Sequence, residues 1–114
     1  MRILVIGAGE LGARTVEQLR KNERIEIVVS DHREDPYALR EGIIDKVDIK
    51  LHVTPMNAVQ VCLTAKPALV LIARKLKDWG HHNTLMGSQY VAGMERELAK
   101  LHIPVIPVSG DVEF

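Results

Sequence analysis

Residues 3–6 read Ile-Leu-Val-Ile, and the six positions that follow place glycine at 7, 9 and 12. Successive side chains on a strand point to opposite sides, so a wholly apolar run of this kind belongs to a strand covered on both faces. Residues 11–22 are rich in helix formers, with Gly12, Val16 and Leu19 at helical spacing. The glycines therefore fall where a central strand turns directly into a helix. That order opens a β-α-β unit, whose next strand runs parallel to the first.

The remaining chain continues the alternation. Residues 25–29 form a second β-branched strand ending at Ser30 and Asp31, and Asp35-Pro36 marks the cap and first turn of a short helix that Gly42 closes. From 47 to 53 apolar residues alternate with Asp48, Lys50 and His52, the pattern of a half-exposed strand at a sheet edge. Thr54-Pro55 repeats the helix-start signal, Met56, Val59 and Leu63 give its stripe, and Lys66-Pro67 ends it. Residues 68–73 are apolar throughout and read as a second central strand. Residues 74–88 have no clear period, with a turn at Trp79-Gly80. Val91, Met94, Leu98 and Leu101 then define a helix starting between Asn83 and Ser88. Pro104 and Pro107 confine the last strand, 103–108, to an edge. The pattern predicts an α/β fold, a Rossmann-like three-layer α/β/α sandwich with a five-stranded parallel sheet in the order 3-2-1-4-5. Its switch point lies between the first and fourth strands.

In that context each glycine has a physical task. Gly7 permits the tight turn, Gly9 lets the backbone approach a pyrophosphate, and Gly12 lets the helix lie close on the first strand. The helix N-terminus, at Glu10 and Leu11, presents backbone N–H groups and partial positive charge to the phosphates. Asp31, nineteen residues past Gly12, stands where a carboxylate accepts hydrogen bonds from the ribose hydroxyls of an adenosine. The competing explanation is that the glycines serve close packing alone and that Asp31 caps a turn.

Residues 3–31 resemble the N-terminal NAD(P)-binding domains of the large Rossmann superfamily. They are most similar to the potassium-channel regulator domain of the TrkA type and to the N-terminal domain of saccharopine dehydrogenase. Beyond that stretch the similarity is one of topology, and it implies a ligand class without carrying over a reaction. Asp31 repels the 2′-phosphate of NADP and so favours NAD, whereas Arg33, two residues on, is placed to bind that phosphate. S-adenosylmethionine is another adenosyl ligand of glycine turns, although its methyltransferases resemble a longer, seven-stranded domain.

Arg74, Lys75 and the loop to His82 border the same crevice, with Arg74 a candidate for phosphate contact and Trp79 for stacking on a ring. His81 and His82 are candidate proton-transfer groups, but adjacent residues diverge in direction and nothing around them has metal-ligand spacing, so no metal is expected. His52 and His102 read as surface residues, and Cys62 as a small buried side chain. Fifteen basic and fifteen acidic residues cancel, which argues against a nucleic-acid partner. One cysteine and no apolar run of membrane-spanning length fit a cytoplasmic protein.

The 114 residues suit a single dinucleotide-binding domain, 1–114. The expectation is a free-standing NAD(P)-binding domain that senses or presents its cofactor, as a homo-oligomer or with a larger partner subunit. The alternatives are a small oxidoreductase completed across a dimer interface, using Arg74, His81 or His82, and an interaction module without a ligand.

Overall fold

The computed structural model describes residues 1–74 and 84–108. Strands β1 (Arg2–Ile6), β2 (Glu26–Ser30), β3 (Leu69–Ile72) and β4 (Val105–Pro107) form one parallel sheet in the order β2-β1-β3-β4. The helices are α1 (Glu10–Leu19), α2 (Tyr37–Arg40), α3 (Ala58–Ala65) and α4 (Thr84–Ala99). Among the described residues, no helix is long and apolar enough to cross a membrane.

Alternation along β1 builds the three layers. Leu4 and Ile6 join Val70 and Ile72 in a core with Val61 and Cys62 of α3 and with Tyr90, Met94 and Leu98 of α4. Ile3 and Val5 point the other way and pack with Leu71 and with Leu11 of α1. A strand buried on both faces has no position for a polar residue, which is why β1 is apolar from Ile3 to Ile6, beyond the part-exposed Arg2 at its start.

The five strands expected from the sequence are four among the described residues. The stretch 47–53 lies beyond β2, where the third strand belongs, but pairs only through a parallel bridge between Ser30 and Ile49. Asp48 limits the ladder: its Oδ2 accepts the Val29 N–H at 2.8 Å, a donor that another backbone carbonyl would otherwise take. Ile49 then exchanges 3.1 Å bonds with Val29 O and Asp31 N, and Leu51 N–H donates back to Ile49 O at 2.9 Å, which turns the chain out of strand direction. Val47 and Val53 are buried as alternation predicts, whereas Leu51 is exposed.

Two helix starts also move. Pro36, not Asp35, is the N-cap residue of α2, which closes after one turn with Gly42 at φ +73°. Residues 54–57 form a turn in which Ala58 N–H donates to Thr54 O at 2.8 Å, so α3 begins later than Thr54-Pro55 suggests. Its buried face is consequently Ala58, Val61 and Cys62, and the anticipated stripe faces outward, with Met56 97% and Leu63 52% exposed. Lys66, in the left-handed conformation, and Pro67 end the helix as the sequence indicates. The stripe of the last helix holds: Met94 and Leu98 are fully buried, with Val91 and Leu101 packed against them.

Candidate functional site

The carboxyl ends of β1, β2 and β3 meet where the strand order reverses, and the glycine turn lies across them. Gly7 has φ +111°, a conformation L side chains rarely adopt, and its N–H donates to Ser30 O at 2.8 Å. A Cβ on Gly7 would stand 2.5 Å from Ala73 O, and one on Gly12 would overlap the carbonyl oxygen of Gly7. Both glycines are therefore required by close approach, of β3 to the turn and of α1 to β1. Gly9 is the N-cap residue of α1 with φ −78°, so its backbone conformation alone does not demand glycine. The first turn of α1, from Glu10 through Leu11 and Gly12, opens at this edge, where helix N–H groups have no intrahelical acceptor.

Asp31 follows β2 and is buried, 5% exposed, beneath the turn. Its Oδ2 accepts the Ala8 N–H at 2.8 Å and Arg33 Nη2 at 2.7 Å, while Oδ1 accepts Arg33 N–H at 2.9 Å and Arg33 Nε at 3.0 Å. Burial pushes the carboxyl upward, but these bonds and the Arg33 charge outweigh it and hold the group at about 2. The carboxylate is thus anionic at neutral pH and is held by the same backbone that forms the glycine turn.

Ile6, Gly7, Ser30, Asp31, His52 and Arg74 are among the residues that line a small pocket beside this turn. Arg74 Nη1 lies 2.6 Å from His52 Nδ1. Guanidinium only donates, so Nδ1 is the acceptor and Nε2 carries the imidazole proton. Burial first, then the Arg74 charge, lowers the His52 pKa, which keeps the ring neutral. The ring stacks on Tyr90 at 6.1 Å and meets His32 edge-on at 5.4 Å. Tyr90 Oη donates to Val53 O, and burial raises the phenol to about 12. Ser30 Oγ, on the pocket wall, is buried and has no hydrogen-bond partner among the described residues.

Gly7, Gly9, Glu10, Leu11, Gly12, Asp31, Arg33 and Arg74 are thus brought to one edge of the sheet. Lys75, Trp79, His81 and His82 lie outside the described residues. His52 corrects the sequence reading, which put it on the surface: because the segment leaves strand direction after Ile49, its ring is half-buried in the crevice. His102 is exposed at the helix end, at φ +58°. Cys62 is buried in α3 with its thiol pushed up to about 11 by burial, unsuited to nucleophilic work. Sequence reasoning missed the pairing of His52 with Arg74 and the unpartnered Ser30 hydroxyl. No group of three or more metal-ligating side chains occurs among the described residues.

No family model and no curated protein matches the sequence. Solved structures match it in fold. The UDP-glucose 4-epimerase of Thermus thermophilus, in complex with NAD, matches with a TM-score of 0.63 and 18% identity over 90% of this chain and 35% of its own. The UDP-glucose 4-epimerase of Thermotoga maritima, with UDP-glucose, gives 0.63 and 13% over 100% of this chain and 41% of its own. The dTDP-glucose 4,6-dehydratase of Bacillus anthracis str. Ames, in complex with NAD, gives 0.61 and 15% over 100% and 42%. At these identities the similarity is one of fold, and this chain has the Rossmann α/β architecture. It spans between 35% and 42% of the length of those structures.

Proposed function

We propose that residues 1–114 act as one dinucleotide-binding domain that takes NAD at the glycine turn. The pyrophosphate lies over Gly7 and Gly9 against the first-turn N–H groups of Glu10, Leu11 and Gly12, and Asp31 accepts the ribose hydroxyls of the adenosine. The observation that carries this reading is Asp31. It is a buried carboxylate at the carboxyl end of β2, fixed by the Ala8 N–H to the turn that would hold the phosphates. The NAD in two structures of the same fold supports the ligand class. The charge of Asp31 favours NAD over its 2′-phosphorylated form.

The role we assign is that of a domain that presents or senses its cofactor, in a homo-oligomer or beside a partner subunit that covers Met56 and Leu63. His52 in the crevice is engaged by Arg74, and Tyr90, on which its ring stacks, is held by Val53 O, which favours binding over chemistry. An oxidoreductase completed by a second subunit, with Arg74, His81 or His82 acting on the substrate, is the other reading, and the position of Arg74 at the crevice is what favours it.

Thermal shift with NAD, NADP and S-adenosylmethionine tests the binding. A ligand at one hundred times its Kd adds about 2.7 kcal/mol, which raises Tm by roughly 10 °C in a chain of this size. No shift with any of the three overturns the proposal. Turnover of NAD with a panel of nucleotide sugars and hydroxy acids separates the catalytic reading from the sensing one.

A further inference from the structure

Backbone hydrogen bonding alternates along β2. Glu26 N–H donates to Met1 O and Ser30 O accepts Gly7 N–H, so residues 26, 28 and 30 bond inward to β1, and 25, 27, 29 and 31 turn their free groups outward. Toward the carboxyl end that outer edge is filled: Val29 N–H donates to Asp48 Oδ2, Val29 O accepts Ile49 N–H, and Asp31 N–H donates to Ile49 O. Toward the amino end it is open. Ile27 N–H, Ile27 O and Ile25 O have no hydrogen-bond partner among the described residues. Beside them lies a groove of about 260 Å³, where Ile25 and Ile27 meet Val16 and Ile44 near Arg20 and Lys46.

The geometry points to this open half-edge of β2 as a docking seat for an extended peptide segment of another protein, added as a strand where residues 47–49 do not reach. One donor and two acceptors stand as a neighbouring strand needs them, which is the chemistry of a polypeptide backbone. Directly opposite residues of paired strands share a side of the sheet, whichever way the incoming chain runs. The residues opposite Ile25 and Ile27 therefore face the groove and are apolar. The residue between them faces Glu26, 60% exposed and already drawing Arg2 from the β1 side at 2.8 Å, and a basic side chain complements it. The same carboxylate disfavours a second copy of this chain, because twofold pairing of residues 25–27 sets two Glu26 side chains directly opposite each other. The seat lies at the amino end of the sheet, away from the glycine turn, and does not depend on the dinucleotide reading.

NMR titration and hydrogen exchange of the full chain with the capped peptide Thr-Val-Lys-Val-Thr test this, beside Thr-Val-Glu-Val-Thr and a fully N-methylated form of the lysine peptide. The lysine peptide at ten times its Kd is expected to slow exchange of the Ile27 amide about tenfold and to leave the amides of residues 7–12 unchanged. It is expected to bind about threefold tighter than the glutamate peptide, an effect of the size of one cross-strand charge pair, and Glu26→Lys is expected to reverse that order. The N-methylated form, which keeps the side chains and loses the donors, is expected not to protect Ile27. An Ile27 amide unmoved at 10 mM lysine peptide, equal protection by the N-methylated form, or an order that Glu26→Lys leaves in place overturns the inference. Protection of Ile27 that grows with protein concentration in the absence of peptide assigns the edge to a second copy and overturns it as well.

Discussion

The glycine turn and Asp31 were legible because each depends on chain-local chemistry: a backbone that must bend at one place, and an acid at a fixed distance from it. Gly7→Ala should lower stability by about 2–3 kcal/mol, since φ +111° is strained for alanine and its Cβ would stand 2.5 Å from Ala73 O. For Gly12→Ala two effects oppose. Alanine gains about 1 kcal/mol in a helix interior, but a Cβ overlapping Gly7 O forces α1 off β1, and overpacking typically costs about 1–3 kcal/mol. The clash is with backbone and should win, which a lowered urea midpoint would report and an unchanged midpoint would refute. Asp31 adds a pH dependence. Its carboxyl falls from 3.8 to about 2 on folding, so its contribution is complete above the unfolded value and is lost as pH drops from about 4 to about 2, roughly 2 kcal/mol in total. Asp31→Asn should flatten the urea stability curve in that window. His52 was not legible, because its partners Arg74 and Tyr90 are distant in sequence and nothing local marks them.

At the scale of elements, the central strands β1 and β3 could be read from sequence because burial on two faces leaves only apolar residues. The stretch 47–53 could not. Its alternation is real at Val47 and Val53, but whether a ladder forms depends on what meets the edge of β2, and there a side chain, Asp48, takes the place of a carbonyl. Asp48→Ala should therefore expose the Val29 amide to faster hydrogen exchange and cost about 1 kcal/mol, the usual net value of one hydrogen bond. Retained protection at Val29 would show that the carboxylate is not its acceptor. The α3 stripe failed for a related reason, since the turn at 54–57 moves the helix start and rotates the apparent face. That turn also touches α4. A Cβ on Gly93 would stand 2.7 Å from Pro55 Cγ, so Gly93→Ala should destabilise by about 1 kcal/mol despite its better helix propensity.

Across the whole molecule, polar groups divide between the two ends of the sheet. At the amino end Arg2 pairs with Glu26 at 2.8 Å, and the Glu26 side chain remains 60% exposed. At the carboxyl end Asp31, Arg33, His52 and Arg74 are half-buried or more around the glycine turn. A separate groove of mixed lining lies beside β2, with Val16, Ile27 and Ile44 next to Arg20, Asp45 and Asp48. A dinucleotide held as proposed touches only the carboxyl end. Saturating NAD should then shift or protect the amides of residues 7–12, 31–33, 52–53 and 73–74, and leave those of residues 24–27 and 44–46 unchanged. The physical basis is that a ligand stabilises most what it orders directly, while strands already buried on both faces have little left to gain. A footprint on the outer groove instead would place the ligand away from the glycine turn and from Asp31, and the assignment of the site would fall with it.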